Sequence, residues 1–422
     1  MSRHASWNAL PSEMRLAIVD LLEHDALAAL SLASRANHTL CLPALFHTVS
    51  APSFAALQAF LHHVPPAYGA YIHHLDICTR FLSPSPVVVP PSSPGTPRSD
   101  AVVRLLERAP RLERLHLRLA GGLAPHALAA FPALTRLSDL SIENCDEEDS
   151  APLSERTVVA IALSLPSLRR LSLTRITRSL CPGVPAAFPS IPTDPANLIL
   201  PSLLTIPSLR HLAIKDTHLG DPRFASELPT APLESLELGA YDCLSPTENA
   251  ANAARILSRV GPSLCRLVLS SALPASTAPF VFPALTSVRL TPLVSPSNIP
   301  DTLRSLRAPM KIIHLQTLPD DLEDVCEALE ECEAGQWALH LGVLRALEGD
   351  VLAGDDKEDV VLDENARDAI RRLEGAGWLV GVEGAVSDEI DWDERTVVDD
   401  SSPVPSKRTS TGPEVWDIVI PS

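Results

Sequence analysis

The sequence predicts an α/β fold in which a short module of three helices is followed by a solenoid of parallel strands joined by helical or loop arms. Three observations predict this fold. Apolar residues recur at helical spacing between residues 10 and 46. A leucine pattern with the two-residue period of strands then returns along residues 72–317. Proline supplies 40 of the 422 residues, which excludes a long coiled coil because proline interrupts helices.

Residues 1–50 are predicted to form the three-helix module. Pro11 fits the first turn of a helix, where its missing N–H has no partner to lose, and apolar residues follow it on one stripe. A break with Asp25 as the expected N-cap precedes a second helix over 26–36 and a third over 40–46. A unit of this size buries little core alone and usually needs a partner surface.

This segment resembles an F-box of the form common in fungal proteins. The matching residues are Leu10-Pro11, Glu13, Ile18, Leu21-Leu22, Asp25, Leu27, Leu30, Ser34 and Leu45-Phe46. Met14 stands where Ile or Leu is usual, and a Trp often found near Ser34 is missing.

The resemblance implies docking on the Skp-family adaptor of a cullin–RING ubiquitin ligase, through an apolar helical face laid in a groove. Some of the implied contacts must instead pack the three helices together, and an ordinary helical cap on the following domain is the alternative. The adaptor contacts implied by the resemblance are Leu10, Pro11, Met14, Ile18, Leu22, Leu27 and Leu30.

Residues 51–317 are predicted to form an irregular leucine-rich-repeat solenoid, because the pattern L-x-x-L-x-L returns with first leucines 18–41 residues apart. The fourth and sixth positions should point inward, and each unit buries that face by stacking on its neighbours. The alternative is a two-layer α/β domain with leucine-rich strands. The pattern occurs at residues 110–117, 135–142, 166–173, 207–214, 231–238, 262–269 and 283–290, with a truncated copy at 301–306.

Flanking segments complete the expected solenoid. Residues 71–77 are predicted to be its first strand and 312–315 the last of the run, with helical arms at 99–109, 155–165 and 247–260. Proline-rich residues near 83–97 predict a disordered loop, and 181–207 an inserted arm. Residues 318–383 are expected to form an acidic C-terminal cap, and 384–422 a mostly disordered acidic tail.

Charge and motifs exclude several function classes. Residues 318–422 carry 28 acidic and 8 basic side chains, whereas residues 1–317 carry 24 and 26. An acidic balance disfavours nucleic acids and anionic membranes, and no 18-residue apolar stretch or secretory signal is present. The eight cysteines form no CxxC pair, and nucleotide-binding, zinc-protease and hydrolase motifs are absent. We therefore expect no catalytic residue, no cofactor, no metal, and a cytoplasmic or nuclear protein.

The outward positions of the repeat strands are the candidate target-binding surface. Their charge predicts a mildly basic concave face that selects a protein substrate of acidic or phosphorylated character. Solvated arginines that keep the face soluble are the alternative, and the acidic tail is a rival occupant. The candidate substrate-binding residues are Arg114, His116, Arg118, Arg170, His211 and Lys215.

Module, repeats and charge together predict a substrate-recognition adaptor subunit of an SCF-type cullin–RING ubiquitin ligase. Its partners would be the Skp-family adaptor, the cullin scaffold and an unknown protein substrate, with no nucleic acid and no membrane. Catalysis would be by proximity alone. The runner-up is a leucine-rich-repeat scaffold or regulatory interaction protein with no ligase role, and the third interpretation is an unrecognised enzyme.

Overall fold

The computed structural model describes residues 7, 10–80, 96–146, 152–178, 198–226, 228–260, 263–274, 279–330, 332, 338–343, 364–375 and 378–384. They fall into two compact units, one within Met1–Leu209 and one within Arg210–Glu414. Each unit contains parallel strands joined by helices or 3-10 turns, so the predicted α/β class is confirmed. Within these ranges every helix is too short or too polar to span a bilayer.

The first unit begins with the predicted three helices, at slightly different bounds. Helix α1 spans Ser12–Val19, α2 spans His24–Ala33 and α3 spans Arg35–Leu45. Asp25 is not the N-cap that the sequence predicted, because α2 already starts at His24 and Asp25 lies within its first turn. The cap that forms is Ser34, whose side chain accepts the Asn37 amide and starts α3 directly after α2.

Five parallel strands follow in the first unit, each hydrogen-bonded to the next within β1 to β5. The predicted first strand is present but shifted, and β1 precedes it. The strands are β1 (Thr48–Ala51), β2 (His74–Cys78), β3 (Arg114–Leu119), β4 (Asp139–Asn144) and β5 (Arg170–Thr174). The arms are α4 (Phe54–His63), α5 (Thr96–Arg108), α6 (Glu155–Ser164) and the 3-10 turns Pro66–Tyr71, Pro125–Ala133 and Leu200–Thr205.

A repeated backbone device sets the register of these strands. The carbonyl of the residue that precedes one strand accepts two consecutive amides at the start of the next strand. The His73 carbonyl accepts the amides of Glu113 and Arg114 at 2.8 and 3.0 Å, and the Glu113 carbonyl accepts those of Ser138 and Asp139 at 3.0 and 3.1 Å. The same pair of hydrogen bonds therefore aligns the start of each strand with the start of the strand before it.

The second unit repeats this arrangement. Its Arg210, Glu234, Cys265 and Thr286 carbonyls each accept two amides of the next strand. Helix α7 starts at Pro246 because Ser245 and Glu248 form a capping box. The strands are β6 (His211–Lys215), β7 (Ser235–Leu238), β8 (Arg266–Leu269), β9 (Phe280–Val281), β10 (Ser287–Leu290), β11 (Leu306–Arg307), β12 (Ile312–Thr317), β13 (Ala338–Val343) and β14 (Leu379–Gly384). The arms are α7 (Pro246–Leu257), α8 (Ile299–Arg304), α9 (Leu322–Glu330), α10 (Glu364–Gly375) and the turns Pro222–Ala225, Pro296–Asn298 and Pro319–Asp321.

The leucines of the seven full copies of the pattern form the cores of both units. In the copy that contains β3, for example, Leu112, Leu115 and Leu117 are all buried, while the alternating residues face outward. Because the side chains of a strand alternate between its two faces, every second side chain packs against the helices and turns that connect the strands.

The truncated copy at 301–306 was expected to be a further repeat strand, and this expectation is wrong. Leu303 lies on helix α8 and Leu306 on the short strand β11. That short strand pairs only with β9 among the described strands, outside the main sheet. Its place in the main sheet is taken by β12, and the run does not end there, since β13 and β14 extend it in parallel. Parallel order thus continues into the acidic region that was expected to be a cap.

Several expectations concern residues that the structure does not describe. They include most of the loop at 83–97, where only Thr96 and Pro97 are described, as the start of α5, and residues 181–197 of the inserted arm. The acidic tail lies outside the described residues from 385 onward.

Candidate functional sites on the helical module and the strand faces

The three helices enclose a small core of their own. Val19, Leu27 and Cys41 are buried in it, and Leu22 and Leu30 pack against them while remaining half-buried. Trp7 closes the core from the N-terminal side, where its Nε1 donates to Asn37 Oδ1 at 2.9 Å. These contacts bury the sides of the helices that face one another. The side chains on the other sides of the helices therefore remain exposed to solvent.

A set of large apolar side chains is left exposed on this module. Seven such side chains are exposed among the described residues, and four of them lie within the short span 14–32. Leu21 and Leu32 are 85% and 86% exposed, Met14 is 53% exposed and Leu16 is 43% exposed. We call these four residues the exposed apolar set. Exposure of several large apolar side chains on one small module makes that module the candidate for a surface that a partner covers.

The seven residues implied as adaptor contacts occupy three different environments. Pro11 and Met14 are exposed, and Leu10, Ile18, Leu22 and Leu30 are half-buried. Leu27 is buried in the core of the module, so its side chain holds the helices together rather than faces a partner.

Sequence reasoning missed Leu16, Leu21 and Leu32 as candidate contacts. A signal for Leu32 was available. Leu27 and Leu30 lie close together on one side of α2, and Leu32 projects about 140° from Leu27 at 100° per residue. Only one side of the helix can face the small core.

The candidate substrate-binding residues of the first unit do project from one outward strand face. Arg114, His116 and Arg118 of β3 alternate with buried leucines, and Arg170 occupies the equivalent position on β5. Register places His116 beside Asp76 of β2 and Ser141 of β4. The face is therefore a set of aligned rows that run across the strands.

Carboxylates on neighbouring strands neutralise much of the expected positive charge of this face. Arg118 Nη2 lies 3.0 Å from Asp76 Oδ2, and His116 Nδ1 lies 3.4 Å from the other oxygen of that carboxylate. Arg170 Nη1 lies 3.7 Å from Asp139 Oδ2. In the first unit the face is charge-balanced rather than basic, because parallel register sets acidic and basic side chains in the same rows.

The two candidates in the second unit also have charged or polar neighbours on nearby strands, Lys215 with one on the adjacent β7 and His211 with one on β8, one strand further along. Lys215 Nζ lies 3.1 Å from Glu237 Oε1 on β7. The Nδ1 atom of His211 lies 3.4 Å from Arg266 Nη2 on β8. Lys215 thus forms an ion pair, whereas His211 stands beside another basic side chain.

A cluster of histidines occupies the edge of the first unit where the strands begin. The rings of His47 and His73 stack with centroids 4.9 Å apart, and His74 meets His47 edge-on at 4.7 Å. Glu113 balances the cluster, since its Oε1 lies 3.1 Å from His73 Nδ1 and 3.2 Å from Arg136 Nη2. Within the described ranges no group of three His, Cys, Asp or Glu side chains is arranged to hold a metal ion.

Burial, and to a smaller extent the neighbouring His47 and Arg114, lower the pKa of His74 to about 4. The pKa of His47 is lowered for the same reasons, by burial first and then by His73. Both rings are therefore held neutral in the folded chain near neutral pH.

This cluster predicts that acid destabilises the folded chain. The pKa of His74 is lower in the folded chain than the ordinary value of 6.5, so the unfolded chain binds the proton more readily. The stabilising effect is complete above about pH 6.5 and is lost as pH falls toward about 4. We expect His74→Asn to reduce the drop in the urea midpoint between pH 7 and pH 5. The exposed His62→Asn is the control, and an equal drop in both variants would contradict the effect.

Comparison with known proteins adds no assignment. Neither the models of known protein families nor the curated proteins contain a match to this chain.

Proposed function

We propose that this chain is the substrate-recognition subunit of a cullin–RING ubiquitin ligase. In this proposal α1 to α3 form an F-box that docks on a Skp-family adaptor, and irregular leucine-rich repeats present their outward strand face to a target protein. The observation that carries the proposal is the exposed apolar set on the helical module. The resemblance of residues 10–46 to an F-box supplies the identity of the partner.

The energetics of the exposed apolar set favour association. Full burial of a leucine side chain contributes about 1.5–3 kcal/mol relative to leaving it exposed. Leu21 and Leu32 are nearly fully exposed in the isolated chain, so a groove that covers both gains close to the whole of that contribution. Leu27, Leu22 and Leu30 support the surface from inside by fixing the angle between the helices.

The role proposed for the repeats is non-catalytic. The strand face would hold a target protein while ubiquitin is transferred by groups elsewhere in the complex, which accelerates the reaction by proximity. Since Arg118, His116 and Arg170 face carboxylates, the first unit favours a target surface with both signs of charge. This proposal replaces the expectation, made from the sequence, of a target with purely acidic character. The described cysteines are free thiols, in keeping with a cytoplasmic or nuclear site of action.

Co-purification tests the proposal. The full chain, expressed together with a Skp-family adaptor and a cullin, is expected to recover both in a stable complex in gel filtration with light scattering. Recovery of the folded chain without the adaptor would contradict the ligase role and favour a leucine-rich-repeat scaffold.

A further inference from the structure

The first three strands begin with a row of polar side chains on the outward face. Register places Thr48 of β1, His74 of β2 and Arg114 of β3 side by side. Thr48 and Arg114 are exposed and His74 is half-buried, whereas the next residue of each strand is buried, so the three side chains share one face. We call Thr48, His74 and Arg114 the donor row.

Hydrogen bonds link the donor row to the histidine that precedes β1. Thr48 Oγ1 lies 3.4 Å from His47 Nδ1 and 3.5 Å from His74 Nδ1. Both imidazoles are held neutral, so each ring has one N–H donor. One ring therefore donates to the hydroxyl, and the hydroxyl donates to the other ring. Whichever direction this chain takes, one Nε2–H of the pair is left as a donor without a partner within the described residues.

The Arg114 guanidinium is the charged member of the donor row. After burial, its charge also lowers the pKa of His47 and of His74, so it lies close to both rings. It forms no hydrogen bond and no ion pair in the part of the chain that the structure describes, although Asp139 is its register neighbour. The surrounding carboxylates face other cations, in ion pairs that join Glu113 to His73 and Arg136, Asp139 to Arg170, and Asp76 to Arg118. A positive charge and an imidazole donor therefore stand together at this edge of an otherwise charge-balanced face.

A phosphate group suits these donors better than a carboxylate does. A phosphate monoester carries about 1.5–2 negative charges at pH 7 and three acceptor oxygens, so it can accept from a guanidinium and an imidazole at once. Arginine binds such a group through two parallel N–H bonds. The strands of Thr48 and Arg114 lie about 9.6 Å apart, twice the strand spacing, and the long Arg114 side chain can reach a group held above His74.

We propose that the donor row and His47 form a binding site for a phosphate group, which accepts from the Arg114 guanidinium and from the remaining imidazole Nε2–H. Thr48 is a positioning residue, because its hydroxyl fixes which nitrogen of each ring carries the proton. The phosphate belongs either to a free ion or to a phosphorylated protein. The site does not rest on the ligase role, since its residues lie outside the exposed apolar set and its test contains no adaptor.

Histidine side-chain NMR of the full chain tests the site. The Cε1–H signals are followed while inorganic phosphate is added to about 20 mM, with sodium chloride of equal ionic strength as the blank. We expect saturable shifts of the His47 and His74 signals with a midpoint of about 1–10 mM, and no such shift for the exposed His62 and His63. Bound phosphate should also raise the pKa of His74 from about 4 by at least about 0.5, because a nearby negative charge favours the imidazolium. Absence of a saturable shift at His47 and His74 would overturn the proposal.

A matched pair of arginine variants makes the result specific. Arg114→Gln should weaken phosphate binding by about fivefold or more, since it removes the charged donor from an exposed position without breaking an ion pair. Arg104→Gln removes the same charge from an exposed position on helix α5 of the same unit and should leave the midpoint unchanged. Equal midpoints for the two variants would overturn the role of the donor row.

A phosphoserine peptide distinguishes the two sources of the phosphate group. If the natural ligand is a phosphorylated protein, the peptide should shift the same two histidine signals with a midpoint at least about tenfold lower than that of inorganic phosphate. Equal midpoints would show that the site binds the phosphate group alone. Binding of the peptide with unshifted His47 and His74 signals would place its phosphate elsewhere and would overturn the site.

Discussion

Leu32→Asp is expected to weaken binding of a Skp-family adaptor by at least about tenfold while leaving the chain folded. Leu32 is 86% exposed, so the change removes no contact of the helical core. In the proposed complex it would bury a carboxylate where the partner presents an apolar groove, and an unpaired buried charge is strongly unfavourable. A tenfold loss corresponds to about 1.4 kcal/mol, a modest figure for an apolar anchor at an interface. Calorimetric titration of the purified adaptor into the full-length variant measures it.

Leu228→Asp is the matched control for this prediction. Leu228 is 74% exposed, so the chemical change and the starting environment are close to those at Leu32, but the residue lies in the second unit. It should leave adaptor affinity unchanged. Equal affinities for the parent chain and both variants would contradict the assignment of the exposed apolar set as the binding surface.

Leu117→Ala is expected to lower the free energy of unfolding of the first unit by about 2–5 kcal/mol. Leu117 is fully buried on β3, and its register neighbours Ile77 and Ile142 are buried on the strands at either side. The change removes three carbons from a site that adjoining strands hold open, so a cavity remains and the loss exceeds simple transfer from water. The effect within this unit is measured by urea unfolding, with hydrogen exchange of the amides of β2 to β4 as the signal.

Leu32→Ala shows whether that loss comes from burial. Its side chain is almost fully exposed, so truncation should change the free energy of unfolding by less than about 0.5 kcal/mol. If Leu117→Ala were as mild as Leu32→Ala, the leucine row would not be the core of the first unit.

The leucine pattern predicted the strand cores because its information is local. A two-residue period with leucine at the fourth and sixth positions leaves one consistent face to bury, as Leu115 and Leu117 show. The copy at 301–306 shows the limit of such a pattern. Leu303 and Leu306 are buried as well, but from a helix and from a short strand, since leucines three apart also share a side of a helix.

The charge of the outward face could not be predicted from single strands. Arg118 and Asp76 are 42 residues apart, and they meet only because β2 and β3 pair in a register that places Cys78 beside Arg118. The same kind of information places His314 beside His340, which no local pattern indicates. Long-range register therefore decides which side chains of the outward face meet.

The sequence could not show which of the implied adaptor contacts are exposed and which are buried in the core of the helical module. All the leucines of α2 suit either a core or an interface, and the sequence does not state which side α1 and α3 cover. Trp7 and Cys41 contribute to that core from outside α2, and their positions decide that Leu27 is buried and Leu32 is exposed.

Hydrogen–deuterium exchange of the full chain with and without a Skp-family adaptor tests the central claim most directly. The account predicts that the adaptor slows exchange within residues 11–33, which contain the exposed apolar set, and leaves the strands from β2 onward unchanged. Unaltered exchange across these residues at saturating adaptor, or protection confined to the strand faces, would contradict it.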